Sequence, residues 1–154
     1  MVAFADTSFL FAVYGNDAHT PVALSWLRET GQKVCISELA DFELCNALRF
    51  AEFAGRLASG DAARFLAQYE SDCAAGRIRM EICNLADIVR EAKRLSGMYT
   101  AEKGHRAFDI LHVATAISQR ADRFLTFDAN QRKLAEAESL GVPFWSDWAH
   151  PAFR

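Results

Sequence analysis

The chain has 154 residues, with 20 Asp and Glu against 17 Lys and Arg and a formal net charge of −3. That length suits one domain with a sizeable core, and a composition of 51% hydrophobic and 24% charged residues excludes an intrinsically disordered chain. The acidic balance argues against a nucleic-acid binder that works through surplus Lys and Arg, but it leaves open a protein whose acids are gathered in one place to hold metal.

Residues 2–5 are a short continuous apolar run, which predicts a strand buried on both faces. Thr20 followed by Pro21 predicts an N-cap with Pro at the first helical position, and the helix runs to a stop at Gly31. Residues 33–37 form a second short strand. Residues 38–54 carry strong helix formers ahead of Gly55, and residues 59–75 form another helix ahead of Gly76. Residues 78–83 alternate in part and predict a strand. Asn84, with Asp87 three residues on, marks a capped helix to about Met98, and residues 99–104 are polar and predict a loop. Residues 107–121 are apolar on most faces and predict a central helix. Residues 123–127 predict a strand, residues 128–140 a helix closed by Gly141, and residues 142–145 a final strand. Strands separated by helices imply an α/β fold, a parallel sheet with helices on both faces. No repeat, low-complexity segment or linker interrupts the chain, so residues 1–154 are expected to be a single domain.

Cys35, Cys45, Cys73 and Cys83 are scattered in apolar surroundings without a C-x-x-C spacing, which favours reduced thiols over a disulfide framework. His19, His105, His112 and His150 show no zinc spacing with them. The N-terminal segment lacks a basic stretch and meets Asp6 early, and no run approaches the roughly 18 apolar residues of a membrane span. A cytoplasmic protein with no membrane association is expected.

Four acids stand in unusual places. Asp6 ends the first apolar strand, where functional groups gather in a parallel sheet, and it equally suits a helix N-cap. Asp128 ends a later strand, and with Gln131 three residues on it resembles a capping box. Asp109 lies in a helix that is apolar nearly all round, where a carboxylate is costly unless paired or metal-bound. Arg106 and His112, three residues to either side of Asp109, share its face. That stripe reads as a structural ion pair or as the lining of a cavity. Glu43 has Leu39, Ala40, Asn46 and Ala47 as helix-face neighbours, a poor setting for a lone carboxylate. If these four converged to about 6 Å, each pair would repel by roughly 3 kcal/mol at an effective dielectric of about 20. Protonation or cations must offset that. Oxygen ligands without His or Cys select Mg²⁺ or Mn²⁺ over zinc, and such sites commonly act on phosphodiesters. Setting the four aside leaves Lys and Arg one ahead of the remaining acids, a near-neutral surface around one anionic site.

The chain resembles PIN-domain nucleases, and among them the VapC-type toxin ribonucleases of type II toxin–antitoxin pairs. The resemblance rests on Phe4-Ala5-Asp6-Thr7-Ser8, on Ser37 with Phe42-Glu43-Leu44 and Asn46-Ala47-Leu48, on residues 108–116 from Phe108-Asp109-Ile110 onward, and on Leu125-Thr126-Phe127-Asp128. It implies a PIN-like three-layer α/β/α sandwich with a central parallel sheet. It places the metal-holding and catalytic acids on Asp6, Glu43, Asp109 and Asp128. Thr7 or Ser8, and Thr126, fall on small hydroxyl positions, with Thr126 in the catalytic set. Ser8, Arg106 and His112 become candidate substrate contacts, and Lys103 or His105 candidates for the RNA backbone. The implied activity is Mg²⁺- or Mn²⁺-dependent hydrolysis of RNA, with a homodimer and an inhibitory antitoxin as partners. A non-catalytic binding module of the same fold, a processing nuclease, a DNA substrate and a metal-dependent phosphatase stay open at this point. The phosphatase is disfavoured because no second acid stands two residues after Asp6.

Overall fold

The computed structural model describes residues 1–144. Its sheet contains four strands, β1 (Ala3–Ala5), β2 (Val34–Ser37), β3 (Ile78–Glu81) and β4 (Arg123–Leu125), in the order β3-β2-β1-β4. Every pairing is parallel, with Ala3 opposite both Val34 and Arg123. From β1 the chain steps outward through β2 to β3, then returns past β1 to lay β4 on its other side. The order therefore reverses between β1 and β4, and the carboxyl ends of those strands open the crevice in which such sheets bind ligands.

Helices fill both faces. α1 (Thr7–Tyr14), α2 (Thr20–Thr30), α3 (Glu38–Phe53) and α4 (Asp61–Ala74) cover one, while α5 (Leu85–Leu95), α7 (Ala107–Ser118) and α8 (Ala129–Ala137) cover the other. The strand pleat sorts the cores. Ala3, Ala5, Val34 and Ile36 point to Phe9, Leu10, Leu44 and Leu48 in one cluster, whereas Phe4, Cys35 and Phe124 point to Leu95, Ile110 and Val113 in the other. β1 and β2 are buried along their whole length, which holds strands so short, whereas β3 at the edge fully buries Ile78 alone. The result is the expected three-layer arrangement.

Several boundaries differ from the sequence reading. The eight residues of α1 were open to a helix only through the N-cap reading of Asp6. The cap of α2 is His19 rather than Thr20, whose hydroxyl instead donates to the Ala12 carbonyl at 2.5 Å. The expected loop at 99–104 is helical: α5 ends at Leu95, a π-helical turn spans Ser96–Thr100, and α6 (Ala101–Lys103) follows before Gly104 turns the chain with φ of 68°. β3 stops at Glu81 and β4 at Leu125, earlier than expected. α8 ends at Ala137, and Ser139, with φ of 64°, leads the chain out of it. Gly141 is thus no helix stop, and forms an isolated bridge to Arg123. Residues 142–144 do not extend it into a strand, because Phe144 turns into the core against Phe9 and Phe127. Trp145 lies outside the described residues. All four cysteines are free, and among the described residues no helix is long and apolar enough to cross a membrane.

Candidate active site

Asp6 immediately follows β1, and its backbone N–H continues the ladder to the Leu125 carbonyl at 3.1 Å. Its side chain is 0% exposed. It accepts from the Phe9 N–H at 3.0 Å, which makes it the N-cap of α1. It also accepts from Thr126 Oγ at 2.6 Å and from Ser8 Oγ, which lies 2.7 and 2.9 Å from its two oxygens. The hydroxyls hold the facing loop in return: Ser8 Oγ accepts from the Phe127 N–H and Thr126 Oγ from the Asp128 N–H. Burial pushes the Asp6 carboxyl above its ordinary pKa, against the downward pull of Thr126, Phe9, His112 and Ser8.

Glu43 sits on α3, one turn inside a helix capped by Ser37, whose hydroxyl accepts from the Ala40 N–H. Its Oε2 accepts from Thr7 Oγ and from His112 Nε2, the latter at 2.6 Å. The His112 hydrogen bond is the main force holding the Glu43 carboxyl below its ordinary range. Asp109, on the first turn of α7, accepts from Arg106 Nε at 3.0 Å and from Gln131 Nε2 at 3.4 Å. Asp128 spends Oδ1 on capping α8 through the Asn130 and Gln131 N–H groups. Its Oδ2 lies 3.7 Å from Arg106 Nη2. Arg106 therefore bridges two acids from an exposed position, and both hold it more firmly protonated.

Glu43, Asp109 and Asp128 line one cleft of about 540 Å³, together with Thr7, Ser8, Arg106 and Gln131. Asp6 and Thr126 do not; both are fully buried behind Ser8. Thr126 is therefore a positioning residue. His112 is 3% exposed and reaches Glu43, so it too supports an acid rather than facing the cleft. Ser8 reaches the cleft, but its hydroxyl is committed to Asp6 and Phe127. His105 is buried, and of the cationic candidates before α7, Arg106 faces the site. The sequence reading missed Asp17 and Gln131 as cleft residues. The spacing of Gln131 from Asp128 was visible, but its side chain reaches Asp109 rather than closing a capping box.

Among the described residues, no three His, Cys, Asp or Glu side chains stand together as a ready ion cage. The donor chemistry nevertheless suits a hard cation: carboxylate oxygens and hydroxyls, with Arg106 now balancing Asp109 and Asp128. A guanidinium 73% exposed can leave them without disturbing the core.

The model of the PIN domain family matches residues 3–137. Among curated proteins, no sequence matches the chain. Solved structures share the fold at low identity. PAE2754 from Pyrobaculum aerophilum is 18% identical over 92% of this chain and 83% of its own, with a TM-score of 0.61. VapC20 from Mycobacterium tuberculosis, described as a Sarcin-Ricin loop cleaving toxin, is 18% identical over 85% of this chain and 93% of its own, with a TM-score of 0.64. VapBC2 from Rickettsia felis, bound to a DNA fragment from their promoter, is 16% identical over 92% of this chain and 97% of its own, with a TM-score of 0.61. A sheet that reverses order at β1 and β4, acids at those strand ends, and a family model spanning all four strands agree: the chain belongs to the PIN-domain family, whose members are nucleases.

Proposed function

We propose that this chain is a divalent-metal-dependent endoribonuclease and the toxin of a toxin–antitoxin pair. The observation that carries this reading is the convergence of Glu43, Asp109 and Asp128 on one cleft at the switch point of the sheet, with Asp6 buried behind Ser8. Asp109 and Asp128 would hold Mg²⁺ or Mn²⁺ with Glu43, and Asp6 would complete the set from behind. When bound, such a cation offsets charge on phosphate oxygens and acidifies water. Glu43, kept ionised by His112 and Thr7, would present its unshared Oε1 to that cation. With a cation offsetting Asp109 and Asp128, the exposed Arg106 would be free to meet a phosphate oxygen of the RNA.

RNA as substrate is supported by similarity in fold to VapC20, a Sarcin-Ricin loop cleaving toxin, and an antitoxin partner by the similarity to VapBC2. A homodimer is supported by exposed Ile82, Leu85 and Val89 at the edge of the sheet, and a cytoplasmic setting by the four free thiols.

Purified protein incubated with single-stranded RNA and Mg²⁺ or Mn²⁺ is expected to release discrete fragments. EDTA, Asp109→Asn or Asp128→Asn should each slow this by at least about a hundredfold, in line with loss of a charge-stabilising group. Equal cleavage in EDTA would overturn the reading. DNA of the same sequence tests the substrate, and induced expression beside Asp109→Asn tests the toxin role through growth arrest by the wild type alone.

A further inference from the structure

The geometry points to a nucleobase subsite at the far end of the cleft, formed by Phe11, Asn46, Ala47, Phe50 and Arg56, that takes one unpaired base of a single-stranded RNA. The ligand class rests on the nuclease reading; the geometry does not. Two packed helices carry the cleft away from the acids. On α1, Thr7 meets Glu43, and Phe11 lies one turn further on. On α3, Glu43 is followed by Asn46 and Ala47 after one turn and Phe50 after two, the spacing of a single helix face. All of them line the same cleft.

The chemistry changes along that face from anionic to aromatic and amide. The Phe11 ring is held in place: a Cβ on Gly15 would lie 2.6 Å from its Cε1, so the glycine leaves the ring its seat against the chain. Phe50 is 56% exposed, tilted against Phe53 with ring centroids 6.0 Å apart, and offers a large apolar face to the cleft rather than to the core. Ala47 keeps the floor between them small. The Asn46 side chain is exposed and makes no hydrogen bond among the described residues, so a neighbouring donor and acceptor are presented together. Gly55, with φ of 71°, turns the chain after α3 and brings Arg56 to the cleft, where its guanidinium has no ion-pair partner among the described residues.

Ring faces stack on any base. An amide matches the paired donor and acceptor of a base edge, and a guanidinium matches the phosphate beside it. A base inside a duplex has both its faces and its pairing edge occupied, so the subsite selects an unpaired one. Beside the acids, it would set which nucleotide flanks the scissile bond.

The test is an NMR titration of the full chain with the four ribonucleoside 5′-monophosphates in EDTA, with ribose 5-phosphate as the base-free probe. The expected result is a shift of the Asn46 side-chain amide and the Phe11 and Phe50 ring signals with at least one nucleotide, and none with ribose 5-phosphate. Asn46→Ala and Phe50→Ala should each weaken that nucleotide's binding by about tenfold, with backbone spectra otherwise retained. Equal shifts for ribose 5-phosphate, shifts confined to other residues, or unchanged affinity in both variants overturn the subsite. Because the titration needs no turnover, a failure of RNA cleavage would count against the nuclease reading alone.

Discussion

A carboxylate with no exposed surface depends wholly on its donors, and Asp6 has three kinds: a helix N–H, a serine hydroxyl and a threonine hydroxyl. Thr126 and Ser8 both tie the two strand ends together: Thr126 donates to Asp6 across the sheet while accepting from the Asp128 N–H, and Ser8 donates to Asp6 while accepting from the Phe127 N–H. Thr126→Val keeps the volume and removes both bonds. It is expected to lower unfolding free energy by about 1–3 kcal/mol in urea titrations, while Thr126→Ser retains most of the stability. The two readings of Asp6 and Asp128 in the sequence were never rivals. A strand end that feeds a helix places one carboxylate at the crevice end of the sheet and beside the unpaired N–H groups of the first turn, so capping a helix does not exclude a place in the proposed site. Asp109 and Arg106 were visible as a pair by their spacing, and Glu43 by its apolar surround. Asn46 was visible as a helix-face neighbour of Glu43 but not as a cleft residue, and Phe11 was not visible at all, because one more Phe carries no signal until α1 packs on α3 and decides which face of each helix meets the cleft.

At the scale of elements, short apolar runs marked β1, β2 and β4, partial alternation marked β3, and Gly or Asn at the ends marked most helices. Where the sequence misled, local polarity stood in for conformation. The polar stretch at 99–104 suggested a loop, yet the chain stays helical through a π turn that leads from α5 to Gly104. α5 and α8 are joined across their exposed sides by Arg94, whose guanidinium meets Glu91 and Glu138, with Tyr99 donating to Glu138 at 2.8 Å. Arg94 chiefly, then Tyr99, holds the Glu138 carboxyl below its ordinary pKa despite partial burial. A folded carboxyl that is the stronger acid contributes stability in full above its unfolded pKa of about 4.3 and loses it as pH falls through the lower folded value. Glu138→Gln should therefore reduce stability near neutral pH, by about 0.5–1 kcal/mol given the exposure of Arg94. The deficit should vanish in thermal melts as pH is lowered through about 4 toward 3.

For the whole molecule, β3 is an edge strand: among the described residues it pairs with β2 alone, and beyond it Ile82 is 91% exposed and Leu85 63%, with Val89 one turn along α5 from Leu85. The proposed homodimer makes a testable demand of this edge: the wild type should scatter light as a dimer and Ile82→Asp as a monomer at matched concentration, with an unchanged circular dichroism spectrum, because the exposed side chain contributes nothing to the monomer core. The opposite end of the sheet, at β1 and β4, has a different consequence. Asp6 closes a strand, starts a helix and anchors the neighbouring loop, whereas Asp109 does none of these. In a lineage released from selection for cleavage, the two positions would drift unequally: Asp109 would be replaced freely, and Asp6 would be retained as a fossil of folding. On the proposed site, an aspartate preserved after β1 in a distant relative is thus weak testimony to activity, and the state of position 109 would be the better witness.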